Sequence, residues 1–348
     1  MSSVSSVDKN LKVETNIKKE GLKFYDIKET PFKVYGVIYE DGTYRRIPQK
    51  VACSVSKNVA LLNRNTAGGR VRFKTDSSFV VIKSKGETGK LPHMALVGVA
   101  GFDLYVEKVH TATFMPPNDT TWGFESIAEF GREKKMREIT INFPLYSCVE
   151  ELYIGLDEKA ALEAPKEYTI TKPVVFYGSS ITQGGCASRP GTCYQGYVSR
   201  KFDCDYINLG FSGNAKAEDE IAEYIANLDM SLFVYDYDHN APTVEHLEKT
   251  HERMFKIIRE KNPDLPIIMM PRPKYDISVT EDLRAQVIMK TYNNAKEAGD
   301  NNVYFISSKE LCELCGDEGT VDRCHPTDAG FLSMAKAVCD CIEKNKLL

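Results

Sequence analysis

The chain has 348 residues, 42% hydrophobic and 10% aromatic, which supports ordinary packed cores and excludes a disordered protein. With 45 basic and 49 acidic residues the formal charge is −4, so neither nucleic acid nor an anionic membrane is an expected partner. At about 150 residues per domain, this length predicts two domains.

Residues 1–19 are expected to be a poorly ordered leader. The sequence MSSVSSVDKNLKVETNIKK has no apolar core and no small-residue cleavage site, so it does not read as a signal peptide. No later run approaches the roughly 18 apolar residues of a membrane span. A cytoplasmic protein is the expectation. From 20 to 165, short alternating or apolar runs are broken by turn signals: FKVYGVIYEDGTYRRI, RVRFKT, SFVVIKSKG, GFDLYVEKV and REITINFPL. Asp41 and Gly42 supply the positive φ angles of a tight hairpin. Many short strands with little helix predict an all-β sandwich, jelly-roll-like.

From 166 to 348 the texture changes, with the boundary near Pro165. The apolar runs PVVFYG, DYINLGF, SLFVYDYD, LPIIMMP and NVYFIS now alternate with helical patterns. In TVEHLEKTHERMFKIIREK, Val244, Leu247, Met254 and Ile258 share one helical face. SVTEDLRAQVIMKTYNNAKEAG opens on a Ser278…Glu281 capping box. TDAGFLSMAKAVCDCIEKN is the last helix. Alternating apolar strands and helices predict a parallel sheet covered on both faces.

The ten cysteines of a cytosolic chain are expected to be mostly reduced and buried. Cys312 and Cys315 form a C-x-x-C, with Cys324, Cys339 and Cys341 downstream. A zinc site is the lesser reading, since the later pair is a C-x-C on one helix. The compartment argues equally against a Cys186–Cys193 bridge.

Ligands of an open parallel sheet bind outside the carboxyl ends of its strands. Those ends carry Gly178-Ser179-Ser180-Ile181-Thr182, then Asn208 to Asn214, then Asp236 to Ala241. Asp322-Arg323-Cys324-His325-Pro326 stands before the last helix. Serine needs an adjacent base to act as a nucleophile, and histidine suits that role near neutral pH. A carboxylate holds the imidazole, and waiting donors stabilise the oxyanion. Asp322 and His325, three apart, can come from one short loop. Ser179 and Ser180 could otherwise only cap a helix.

In these four blocks the chain resembles the SGNH, or GDSL-type, hydrolases, serine esterases on a flavodoxin-like α/β/α fold. The narrower likeness is to two-domain bacterial members that include carbohydrate acetylesterases. The resemblance covers roughly residues 172–348. It implies Ser180 as nucleophile, with Asp322 and His325 completing the triad. It places the oxyanion donors on Ser180 N–H, Gly213 N–H and the Asn240 amide. Two departures stand out. Ser179 replaces the aspartate of G-D-S, and Asp238-His239-Asn240-Ala241 replaces the usual G-x-N-D. No cofactor or metal is implied. A G-x-S-x-G elbow is absent, since Thr182 follows Ser180 by two.

The expected reaction is hydrolysis of short-chain esters, above all O-deacetylation of a carbohydrate. The small polar loop QGGCASRPGTCYQG suits a short acyl group. Arg189 in that loop is either a substrate contact or a solvated arginine. Trp122, the one tryptophan, is either a sugar-stacking platform or a core ring. His239 reads as a loop residue. A lipid or thioester acylhydrolase is the enzymatic alternative. The non-catalytic alternative is a carbohydrate-binding protein with a degenerate hydrolase domain. A homo-oligomer is compatible with the sequence.

Overall fold

The computed structural model describes residues 14–131 and 133–348. The N-terminal strands form two antiparallel sheets. One has the order Leu22–Asp26, Glu151–Asp157, Phe79–Lys85, Glu125–Glu129. The other runs Leu162–Glu163, Arg70–Thr75, Arg137–Asn142, Phe102–Val106, Val109–Phe114, with Lys33–Tyr35 as a sixth strand also paired to Arg70–Thr75. Alternation fixes which face turns inward. Ile139 and Ile141 are fully buried between the sheets, while Glu138 and Thr140 are half-buried on the other face. Phe79 to Ile82 is a continuous apolar run because both its faces are covered. Val80 and Ile82 enter the inter-sheet core, and Phe79 and Val81 pack with Phe24 and Ile17. Asp41 (φ 49°) and Gly42 (φ 79°) turn the predicted hairpin, joining Ile38–Glu40 to Thr43–Arg45.

The expected leader falls partly outside the described residues, at 1–13. Its remainder, 14–19, is tied to the sandwich rather than loose. Thr15 Oγ1 and the Asn16 N–H donate to Glu125 at 2.7 and 3.0 Å, and Lys19 pairs with Glu129.

The second half is a five-stranded parallel sheet. Its order is Cys204–Gly210, Ile170–Gly178, Leu232–Asp236, Ile267–Met269, Val303–Phe305. This is the 2-1-3-4-5 order of flavodoxin-like folds. Along the central strand Val175 and Tyr177 face one core, and Val174 and Phe176 the other. Helices Asp219–Ala226, Val244–Lys261 and Val279–Glu297 cover the first face. Helices Tyr194–Phe202 and Asp328–Asn345 cover the second. The Ser278–Glu281 capping box forms as predicted.

The two halves share their cores. Ala67, Met94, Val99, Ala100, Leu145 and Tyr146 of the first half pack into the layer around Val174 and Phe176. The joint is pinned by Asp103, which has no exposed surface. It accepts from Asn142 Nδ2, Arg189 Nη1 and the Gly191 N–H, each at 2.8 Å. Tyr105 adds its hydroxyl to the Gly191 carbonyl at 3.3 Å. Removing one member of a buried charged pair strands the other, at about 3–5 kcal/mol. Asp103→Ala is therefore expected to lower equilibrium stability by about that amount. A urea midpoint equal to that of the wild type would show that the joint does not depend on this carboxylate.

Candidate active site

The strand Ile170–Gly178 ends in a tight turn into the short helix Ser180–Gln183. Ser179 caps that helix, its hydroxyl accepting from the Ile181 N–H at 3.1 Å. A Cβ at Gly178 would strike the Asp236 carboxylate and the Thr182 hydroxyl, so only glycine fits. Asp236 ends the neighbouring strand and takes a hydrogen bond from Thr182 Oγ1. Burial raises its pKa well above the carboxylate range, against the pull of Thr182 and the Ser179 N–H. A carboxyl group thus still lies beside the turn, supplied by the adjacent strand rather than by position 179.

Ser180, Asp322 and His325 come together. Ser180 Oγ lies 2.8 Å from His325 Nε2, and His325 Nδ1 lies 2.8 Å from Asp322 Oδ2. The other Asp322 oxygen accepts the backbone N–H groups of His325 and Cys324, at 2.8 and 3.1 Å. One carboxylate therefore shapes its own loop and orients the imidazole. Despite burial, those N–H groups and the imidazole hold Asp322 down to about 2. Cys324, then Asp322, raise His325 to about 9 against burial. Both His325 nitrogens are occupied by Ser180 and Asp322, so the Cys324 effect is one of neighbouring charge. This surrounding favours an imidazolium, so the neutral imidazole that could accept a proton from Ser180 gains population as the pH rises towards 9.

The three expected oxyanion donors are unclaimed. Among the described residues, Ser180 N–H, Gly213 N–H and Asn240 Nδ2 have no protein acceptor. Gly213 holds φ 68° in an exposed turn. Asn240 is tied to the same segment, its Oδ1 accepting the Ala215 N–H at 3.3 Å.

A cavity of about 350 Å³ opens beside His325. Leu61, Leu62, Leu91, His93 and Tyr146 of the first half form one wall, and Ser212, Asn214 and His325 belong to the second. His93 faces His325 with ring centroids 5.3 Å apart. The Tyr146 hydroxyl donates to the Ser180 carbonyl at 3.3 Å. No local pattern in the sequence marks these wall residues.

Three expectations need correction. Arg189 does not face the cavity, because Asp103 and the Tyr105 hydroxyl hold it, at 2.8 and 2.5 Å. Trp122 is 54% exposed, beside Glu87, and neither fills the sandwich core nor lines this cavity. The loop after Ser180 is almost wholly buried beneath the first half, only Ser188 being exposed, so its polarity says nothing about the acyl group.

Cys324 and His239 are a pair that the sequence reading passed over. Cys324 Sγ lies 2.9 Å from His239 Nε2. Burial opposes ionisation, but His239 and His325 draw the thiol down to about 6. The signal was in the motifs themselves, at a free position of D-x-x-H and beside Asn240. Among the described residues, potential metal donors lie within 4.8 Å of one another in each of two sets, His93–Cys186–His325 and Asp322–Cys324–His325. Cys312 and Cys315, the lesser zinc reading, belong to no such set among the described residues, and Cys312 Sγ lies 3.2 Å from the Ser308 carbonyl. All ten cysteines are free thiols.

Residues 171–343 match the GDSL-like Lipase/Acylhydrolase family. Residues 22–162 match GxDLY, the N-terminus of SGNH-hydro-type esterases, whose signature is Gly101-Phe102-Asp103-Leu104-Tyr105 here. A Bacteroides ovatus ATCC 8483 protein that carries the name GDSL-like lipase is 27% identical, with a TM-score of 0.83 over 93% of this chain and 97% of its own. The salicylyl-acyltransferase SsfX3 of a tetracycline biosynthetic pathway is 18% identical, with a TM-score of 0.78 over 95% and 99%. The acetyl xylan esterase Est2A of Butyrivibrio proteoclasticus is 14% identical, with a TM-score of 0.62 over 93% and 98%. No curated protein matches. With the two family matches spanning both halves, the chain belongs to the SGNH, GDSL-type esterases and acylhydrolases.

Proposed function

We propose that the protein hydrolyses short-chain esters, above all O-acetyl groups on a carbohydrate, through an acyl-enzyme on Ser180. The observation that carries this is the unbroken line of hydrogen bonds from Ser180 through His325 to Asp322. His325 takes the Ser180 proton as Oγ attacks the ester carbonyl. Asp322 keeps Nδ1 protonated and offsets the imidazolium charge. The oxyanion receives Ser180 N–H, Gly213 N–H and Asn240 Nδ2. His325 returns the proton to the leaving alcohol, and water, deprotonated by the same imidazole, releases the acid. Support for an acetyl ester of a sugar comes from the fold shared with Est2A. The substrate is the oligosaccharide or small-molecule ester itself, and no cofactor takes part in these steps.

The leucines of the cavity wall favour a second reading, a larger or aromatic acyl group, and SsfX3 shares this fold. Hydrolysis rates across acetyl, butyryl, octanoyl and benzoyl p-nitrophenyl esters separate the two. A maximum at acetyl is expected, and a maximum at octanoyl or benzoyl selects the second reading.

Two substitutions test the mechanism. Ser180→Ala is expected to lower kcat for p-nitrophenyl acetate by roughly 10⁴–10⁶-fold. Equal rates from the two proteins would end the serine-esterase reading. Asn240→Ala should lower kcat by about 10²–10³-fold with little change in KM. A change confined to KM would remove Asn240 from the oxyanion site.

A further inference from the structure

We propose that Cys324, Asp322 and His325 form a site for a thiophilic divalent cation such as Zn²⁺, and that filling it stops the esterase. The inhibitory half rests on the Ser180–His325–Asp322 reading, whereas the binding half does not. Cys324 is the hub. Its Sγ lies 2.9 Å from His239 Nε2 and within 4.8 Å of donor atoms on both Asp322 and His325. Thiolate, imidazole and carboxylate are the ligands Zn²⁺ takes, with bonds of about 2.0–2.3 Å. Tetrahedral geometry then sets neighbouring donors ~3.5 Å apart. The donors of Cys324, Asp322 and His325, within 4.8 Å of one another, need to close by about 1 Å at most to reach that spacing, with water free to take the fourth position. Rotamer adjustments supply movements of that size.

Solvent reaches this set. Asp322 is exposed, and Cys324, His239 and His325 are half-buried. The competing set is less open, since Cys186 is buried and its thiol is turned to the His93 carbonyl at 3.4 Å. Ligation needs Cys324 as the thiolate and a His325 nitrogen free of its proton, and any proton displaced from either leaves to solvent. His325 has no spare nitrogen, because one faces Ser180 and the other Asp322. Ligation through either nitrogen therefore breaks one link of the line that activates Ser180.

The experiment uses the full chain, kept reduced and freed of metal by chelator. Cd²⁺ titration followed by the ultraviolet sulfur-to-metal absorption reports thiolate ligation independently of turnover. Zn²⁺ titration by calorimetry gives affinity, and hydrolysis of p-nitrophenyl acetate gives inhibition. One equivalent should bind, and esterase activity should fall with occupancy and return with chelator. Cys324→Ser should abolish the absorption and weaken Zn²⁺ at least tenfold. Ser180→Ala, which is expected to lack turnover, should bind Cd²⁺ as the wild type does. The proposal is overturned if Cys324→Ser binds as tightly as wild type, if Cys186→Ser abolishes the absorption instead, or if saturating Zn²⁺ leaves activity unchanged. A wild type without esterase activity that still binds Cd²⁺ through Cys324 would overturn only the hydrolase reading.

Discussion

The turn that carries Ser180 is buried, and the architecture answers to that constraint. Thr182 and Gln183 have no exposed surface, so each of their polar atoms must find a partner inside the protein. The Thr182 carbonyl accepts from Asn208 Nδ2 and Gln195 Nε2, both at 2.7 Å, and its hydroxyl donates to Asp236. Gln183 donates to Asn65 and to the Leu145 carbonyl, both at 3.2 Å. It also accepts the Ser212 N–H at 3.0 Å, beside Gly213. One glutamine thus links the first half, the Ser180 turn and the turn that carries Gly213. Each such group left unpaired would cost about 1–3 kcal/mol.

Those bonds tie the sandwich to the turn that carries the proposed nucleophile. Its Asn65 and Leu145 satisfy the Ser180 turn, and its Asp103 fixes the loop that follows. Its apolar residues enter the core beneath Val174 and Phe176. A sugar-binding module hung on a degenerate hydrolase would not need such a joint. The GFDLY segment explains why the two halves occur together. Its apolar residues Phe102 and Leu104 belong to the sandwich core, and its polar Asp103 and Tyr105 grip residues 189–191.

The parallel sheet and its order of strands and helices were legible because an apolar run buried on both faces looks the same in any context. The site residues at strand ends were legible for a related reason, since a sheet brings those ends to one edge. Asp322 and His325 are three apart, so local spacing was enough. The cavity wall was not legible. Leu91, His93 and Tyr146 reach His325 only through packing between the halves, and no periodicity records a contact at that sequence distance. Arg189 was misread for the same reason, because its partner Asp103 lies 86 positions away. Ser179 was an anomaly in the sequence alone. The structure resolves it as a cap, with Asp236 bringing a carboxyl group from the next strand.

The positions that the D-x-x-H motif leaves blank do physical work at this site. Arg323 holds φ 64°, a left-handed conformation that costs a non-glycine residue roughly 1–2 kcal/mol. Its carbonyl is met by Arg272 Nη2 at 3.1 Å and Lys274 Nζ at 3.4 Å, from the end of the fourth strand. The same backbone bend lets the Asp322 carboxylate reach the N–H groups of Cys324 and His325 while still facing the imidazole. Cys324, the second blank, sets the charge beside His325 and pairs with His239 from the third strand end. Asp322 and His325 are the proposed catalytic pair, and Arg323 and Cys324 connect that pair to two other strand ends. The geometry and charge at His325 are therefore properties of three loops together, which is why the motif alone could indicate the chemistry but not its surroundings.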